Sequence, residues 1–111
     1  MNIKKVPAGE SGRAHLVLFG EYTFADATEV KQALVEALDV NASEVRLDLA
    51  GMERADLTFF QLLFALASQA RLEDKRVVLN APLPEPLRRA AGGLGFSQHD
   101  LEQAFLQGDN S

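Results

Sequence analysis

The apolar positions fall into runs whose period changes along the chain, and each period names an element. Ile3 to Val6 reads as a short edge strand that Pro7 bounds, since proline cannot donate to a strand ladder. Ala8 to Arg13, with Gly9 and Gly12, reads as a turn. Ala14 to Phe19 (AHLVLF) is nearly continuously apolar, the pattern of a strand covered on both faces, and Gly20 is expected to end it. The short connection pairs these two strands as an antiparallel hairpin.

The period then shifts to that of a helix. Thr23 and Asp26 form an N-terminal capping pair, and Ala27, Val30, Leu34, Ala37 and Leu38 recur at helical spacing between polar residues. Val45 to Leu49 alternates strictly and reads as a strand, with Ala50 to Ala55 as the approach to a second helix over about Thr58 to Arg71. Phe59, Leu62, Leu63, Leu66, Ala67 and Ala70 form the expected core stripe of that helix. Arg76 to Leu79 is another buried-type strand. Pro82, Pro84 and Pro86 bound a third helix through Leu87 and Ala91, which Gly92 and Gly93 stop. Ser97 and Asp100 would cap a last short helix carrying Leu101, Ala104 and Phe105, and Gly108 to Ser111 reads as a frayed end.

This order predicts one α/β domain over residues 1–111, with a mixed sheet of about four strands. Right-handed crossovers place its three to four helices mainly on one face, and the Val- and Leu-rich strands suit a mostly parallel inner sheet.

Composition narrows the function. With 111 residues the chain is long enough for a self-sufficient core. It has no cysteine, hence no disulfide, thiolate nucleophile or Cys metal site, and this fits a reducing, cytoplasmic setting. The N-terminus lacks the apolar stretch of a secretory signal, and the longest apolar run falls short of the roughly 20 residues of a membrane span. Net charge is −5 and the basic residues are scattered, which argues against a nucleic-acid groove.

Gly20-Glu21-Tyr22-Thr23 after an apolar strand, Val45 to Leu49 followed by Met52 and Ala55-Asp56-Leu57-Thr58, then Leu62-Leu63 and Leu66, and finally Gly93-Leu94-Gly95-Phe96, stand in the order and spacing of a known family. From Ala14 to Phe96 the chain resembles STAS domains of the anti-sigma-factor antagonist type. The resemblance implies a non-enzymatic regulatory module in bacterial signalling that binds a protein, with the loop and helix around Asp56 facing the partner. In such domains a kinase phosphorylates the hydroxyl residue directly after the Asp, adding about two negative charges at a helix start. Here that residue is Leu57, which has no hydroxyl, and Phe59 stands where the family usually has glycine. Thr58 follows one place later. It is a candidate phosphoacceptor, or it forms a capping box with Gln61.

The expected partner-binding residues are Asp56, Leu57, Thr58, Phe60 and Phe64. On the helical wheel Phe64 falls roughly 140° from Phe59, with Phe60 between them. Either these two rings pack under a neighbouring element, or Phe64 joins Leu57 in an exposed apolar patch of the kind that marks partner sites. In the second case Phe64→Glu would abolish binding without affecting thermal stability.

No constellation supports catalysis. Asp48, Glu53 and Asp56 are close in sequence, but strand solvation and helix capping account for them. His15 and His99 are far apart and lack patterned acidic neighbours, so neither a metal nor another cofactor is expected. The glycine cluster at Gly92 lacks the Lys-Ser/Thr ending of a phosphate loop. The expected partner is a kinase or chemotaxis-type component. The alternatives are a small cytoplasmic subunit of a lipid-transport complex, held on its transporter ATPase, and a nucleotide-binding regulator that receives phosphate at a helix N-terminus. The surplus apolar surface of the second helix would equally serve a homodimer.

Overall fold

A computed structural model describes residues 1–38, 41–80 and 82–95 and the strand Leu106–Gln107. Strand β1 (Asn2–Val6) pairs antiparallel with β2 (Arg13–Glu21), Lys4 opposite Val17 and Val6 opposite His15. Helix α1 (Ala27–Ala37) leads to β3 (Glu44–Arg54), α2 (Leu57–Leu72) to β4 (Arg76–Leu79), and α3 (Glu85–Gly93) follows. The two-residue strand β5 (Leu106–Gln107) closes the sheet, whose order is β1-β2-β3-β4-β5, with β2 to β5 mutually parallel. The expected mixed sheet is present, four strands forming its body and β5 a short addition that no sequence pattern announced. The expected last helix and frayed end, with His99, lie outside the described residues.

Consecutive right-handed crossovers that step in one direction put their helices on the same face. Val30 and Leu34 of α1, Phe59 and Leu63 of α2, and Leu87 of α3 accordingly join one buried cluster with Leu16, Leu18, Leu47, Leu49 and Val77 of the sheet. The other face differs along its width. His15 and Phe19 on β2 are exposed and Val17 half-buried, whereas Val78 on β4 is fully buried. Continuous apolarity in β2 therefore does not signal cover on both faces: Ala14, Leu16 and Leu18 alone enter the core.

Two strands outrun their expected ends. Gly20 adopts φ +95°, a backbone glycine reaches without strain, and β2 continues through it to Glu21 by irregular pairing instead of stopping. β3 likewise absorbs Ala50 to Arg54, which sequence reasoning assigned to a loop, because Gly20 and Glu21 pair with Met52 and Arg54. At Gly51 the partner strand comes close: a methyl group there would lie 2.8 Å from the Phe19 Cβ. Gly92 and Gly93 do not stop α3. They form its last turn, and Gly95, at φ +92°, takes the terminating conformation.

One carboxylate ties three strands together. Glu44 is only 7% exposed, and its oxygens lie 2.9 Å from Arg46 Nε, 3.4 Å from Arg13 Nε on β2 and 3.8 Å from Arg76 Nη1 on β4. Burial of a charge is tolerable because it is paired.

Gly51→Ala is expected to lower unfolding free energy by about 1–3 kcal/mol through overpacking against Phe19. In urea titrations, the double variant with Phe19→Gly should lose less than the sum of the two single losses.

Candidate functional site

The carboxyl ends of β2 and β3 deliver two segments to one edge of the sheet. After β2, Tyr22 turns inward, its N–H donating to the Arg54 carbonyl at 3.0 Å. After β3, Asp56 is extended (φ −123°, ψ −175°) and caps α2, its Oδ1 accepting from the Phe59 N–H at 3.2 Å. The cap is thus Asp56 and not Thr58, and the expected Thr58–Gln61 capping box does not form. A carboxylate at the N-cap reaches the orphan amide three residues on, which places Thr58 inside the first turn.

There Thr58 does something else. Its hydroxyl donates to Asp56 Oδ1 at 2.6 Å, and its oxygen lies 2.8 Å from the Tyr22 hydroxyl. A hydroxyl has one proton to give, so Tyr22 donates to Thr58 and Thr58 to Asp56. The relay ties the β2 exit to the α2 start across 36 residues. Aromatic packing backs it: the Tyr22 and Phe59 ring centroids are 5.1 Å apart, and those of Phe59 and Phe60 5.9 Å. Burial, reinforced by the Asp56 and Asp26 charges, raises the Tyr22 phenol above its ordinary value.

The five expected partner residues separate. Asp56, Leu57 and Thr58 share the helix start, with Leu57 43% exposed on the first turn. Phe60 is 0% exposed, which removes it from any surface and corrects its assignment to the partner face. Phe64 is half-buried and packs against the core, so Phe64→Glu would perturb folding as well as any surface. The reason is a rotation of the helix about its axis. The buried arc is Phe59, Phe60, Leu63, Leu66, Ala67 and Ala70, with Leu62 and Phe64 half-buried on its two borders. The expected stripe had Leu62 in place of Phe60.

Phe24 was missed. It is 73% exposed, on a single 3-10 turn (Phe24–Asp26) that follows Tyr22. Asp26 Oδ2 fixes this turn by accepting from the Thr23 N–H at 2.8 Å and its hydroxyl at 3.1 Å. The signal was available: a large aromatic residue sits inside the capping sequence, ahead of the apolar helix stripe. Tyr22 was legible only as part of a motif.

The other candidates serve locally. Asp48 Oδ1 accepts from the Ala50 N–H at 3.0 Å within β3. Among the described residues no three His, Cys, Asp or Glu side chains are grouped to hold a metal. Among them, too, no helix is long and apolar enough to cross a membrane.

These features define a small α/β module with an apolar residue offered at a capped helix start. The family model described as "Mlab, STAS domain" matches residues 7–103, and the chain belongs to this family of STAS domains. Among solved structures, the unphosphorylated anti-sigma factor antagonist SpoIIAA is similar with a TM-score of 0.66 at 14% identity, covering 86% of this chain and 84% of the other. The Bacillus cell-fate determinant SpoIIAA in its phosphorylated form gives 0.68 at 12%, covering 96% and 90%. An anti-sigma factor antagonist from Mycobacterium paratuberculosis gives 0.65 at 19%, covering 96% and 85%. These likenesses establish a shared fold. A search of curated protein sequences found no match.

Phe60→Ala should cost about 3–5 kcal/mol of stability, as truncation of a buried ring does, and denaturant unfolding checks it. A second expectation concerns pH. The folded-state value of the Tyr22 phenol lies above the unfolded one, so its contribution is fully present below pH 10.0, the ordinary value, and falls away as pH rises through the folded value. Tyr22→Phe should cost about 0.5–1.5 kcal/mol near neutral pH and should abolish this alkaline decline in unfolding free energy.

Proposed function

We propose that the chain is a non-enzymatic regulatory module that binds a protein partner at the start of α2, with Leu57 as the apolar anchor and Phe24 as a further exposed aromatic on the β2 exit. One observation carries the reading: Leu57, 43% exposed, occupies the place where the resemblance to anti-sigma-factor antagonists implies a phosphorylated hydroxyl. An apolar side chain held in water on a rigid, capped turn gains by being covered, and it offers no oxygen for phosphate. Binding through it is therefore not switched at that position. Asp56 and Thr58 act behind it, holding the turn, and the Thr58 hydroxyl is already engaged with two partners. Its phosphorylation would break the tie to Tyr22.

The partner in this reading is a signalling protein of the kind that anti-sigma-factor antagonists and chemotaxis-type STAS proteins dock on, a sensory or anti-sigma kinase. A second reading, a permanently bound cytoplasmic subunit of a transporter ATPase, is favoured by the same residue. A partner that no phosphate releases is a constitutive one, and the description of the matching family names Mlab.

The test uses Leu57→Asp. An acidic residue in the first turn suits the positive end of the helix dipole, so the variant should keep its melting temperature within about 2–4 °C. Tagged wild-type protein should co-purify a kinase or a transporter ATPase, identified by mass spectrometry, which the variant loses. Retention of the same protein by both would refute the anchor. A stoichiometric phosphate on Thr58 in native material would overturn the unswitched reading.

A further inference from the structure

Away from the α2 start, the described residues enclose a cleft of about 310 Å³ between the end of β1, the beginning of β2 and the last turns of α1. Apart from His15, its walls are small or apolar side chains from three segments: Val6, Pro7 and Ala8, then Ala14 and Leu16, then Ala33 and Ala37. Ala8, Ala14, Leu16 and Ala33 are buried, while Val6 stands 44% exposed at the mouth. Interiors normally close such spaces, because a gap forfeits dispersion contacts on every wall. Four alanines leave this one open where larger side chains would narrow it.

The mouth is polar and organised. Lys5 Nζ on β1 reaches Glu36 Oε2 on α1 at 3.2 Å, and Gln32 Nε2 holds the other Glu36 oxygen at 3.2 Å. The lysine neutralises the carboxylate, His15 also lines the cleft, and the apolar walls penalise any charge carried inside. A Glu36 carboxylate can still accept one more hydrogen bond, having two oxygens with several lone-pair sites. The volume lies at the lower end of small-molecule sites, about 300–1,000 Å³.

We propose that this cleft is a binding site for an uncharged, bicyclic-sized aromatic molecule, whose ring system lies among the alanines and whose single N–H or O–H donates to Glu36. The site is independent of the partner surface at Leu57.

Indole is the probe. In ¹⁵N-resolved titrations of the full chain, the amides of Val6, Ala8, Ala33 and Ala37 should shift together and saturate with one dissociation constant, on the order of millimolar. Ala37→Leu fills the cleft from the helix side and should weaken indole by roughly tenfold or more, a loss of about 1.4 kcal/mol, without lowering the melting temperature. Ala8→Leu fills it from the opposite wall and serves the same purpose if the helix variant folds poorly. Shifts that are scattered over the surface or fail to saturate overturn the site on their own. So does unchanged affinity in a folded filling variant.

Discussion

The parallel pairing of β2 with β3 is the constraint on which the rest of the molecule hangs. It places Leu16 beside Leu47 on the inner face and sends both strands to the same edge of the sheet. Parallel crossovers are right-handed as a rule, and because the chain always steps the same way across the sheet, α1 and α2 land on one face and bury their stripes in one core. The same pairing sets Tyr22 and Asp56 at adjacent strand exits, so that one threonine hydroxyl can bridge them. Glu44 supports the pair at its other end by engaging arginines from β2, β3 and β4.

The start of α2 is held by polar groups that lie behind its exposed apolar side chain. Asp56, Thr58, Tyr22 and Phe59 engage one another through hydrogen bonds and ring packing. Among the side chains that face water at that edge are two large apolar ones, Leu57 and Phe24, beside the charged Glu21, Glu53 and Arg54. In the proposed reading, affinity rests on desolvating the two apolar side chains instead of on a charge that is added and removed. Beside position 57, which has no hydroxyl, the hydroxyl of Thr58 is occupied in holding the turn.

Much of this was legible along the chain. The hairpin, the helix stripe of Val30 and Leu34, the Thr23–Asp26 cap and the bounds of β4 follow from local patterns that local physics enforces. Errors cluster where tertiary pairing overrides them. Gly20 looked like a strand end because glycine commonly ends strands, yet β3 offered it a partner. Phe60 looked like a candidate surface residue because Leu62 completed an adequate stripe without it. The helix instead rotated to bury the larger ring, which gains more by leaving water than a leucine does. Thr58 looked like a cap because threonine caps helices, but the helix starts one residue earlier, at Leu57, and Asp56 caps it through the Phe59 amide.

By itself the sequence determined the order and kind of the elements, their gathering on one sheet face, and the lack of a phosphoacceptor after Asp56, since each depends on residue type and spacing within a short window. The tertiary structure alone decided which face of α2 is buried, which residue caps it, that Tyr22, Thr58 and Asp56 form one relay, and that four alanines from three segments leave a cleft. These depend on contacts between residues tens of positions apart, whose free energies arise only when the strands are paired and the helices seated.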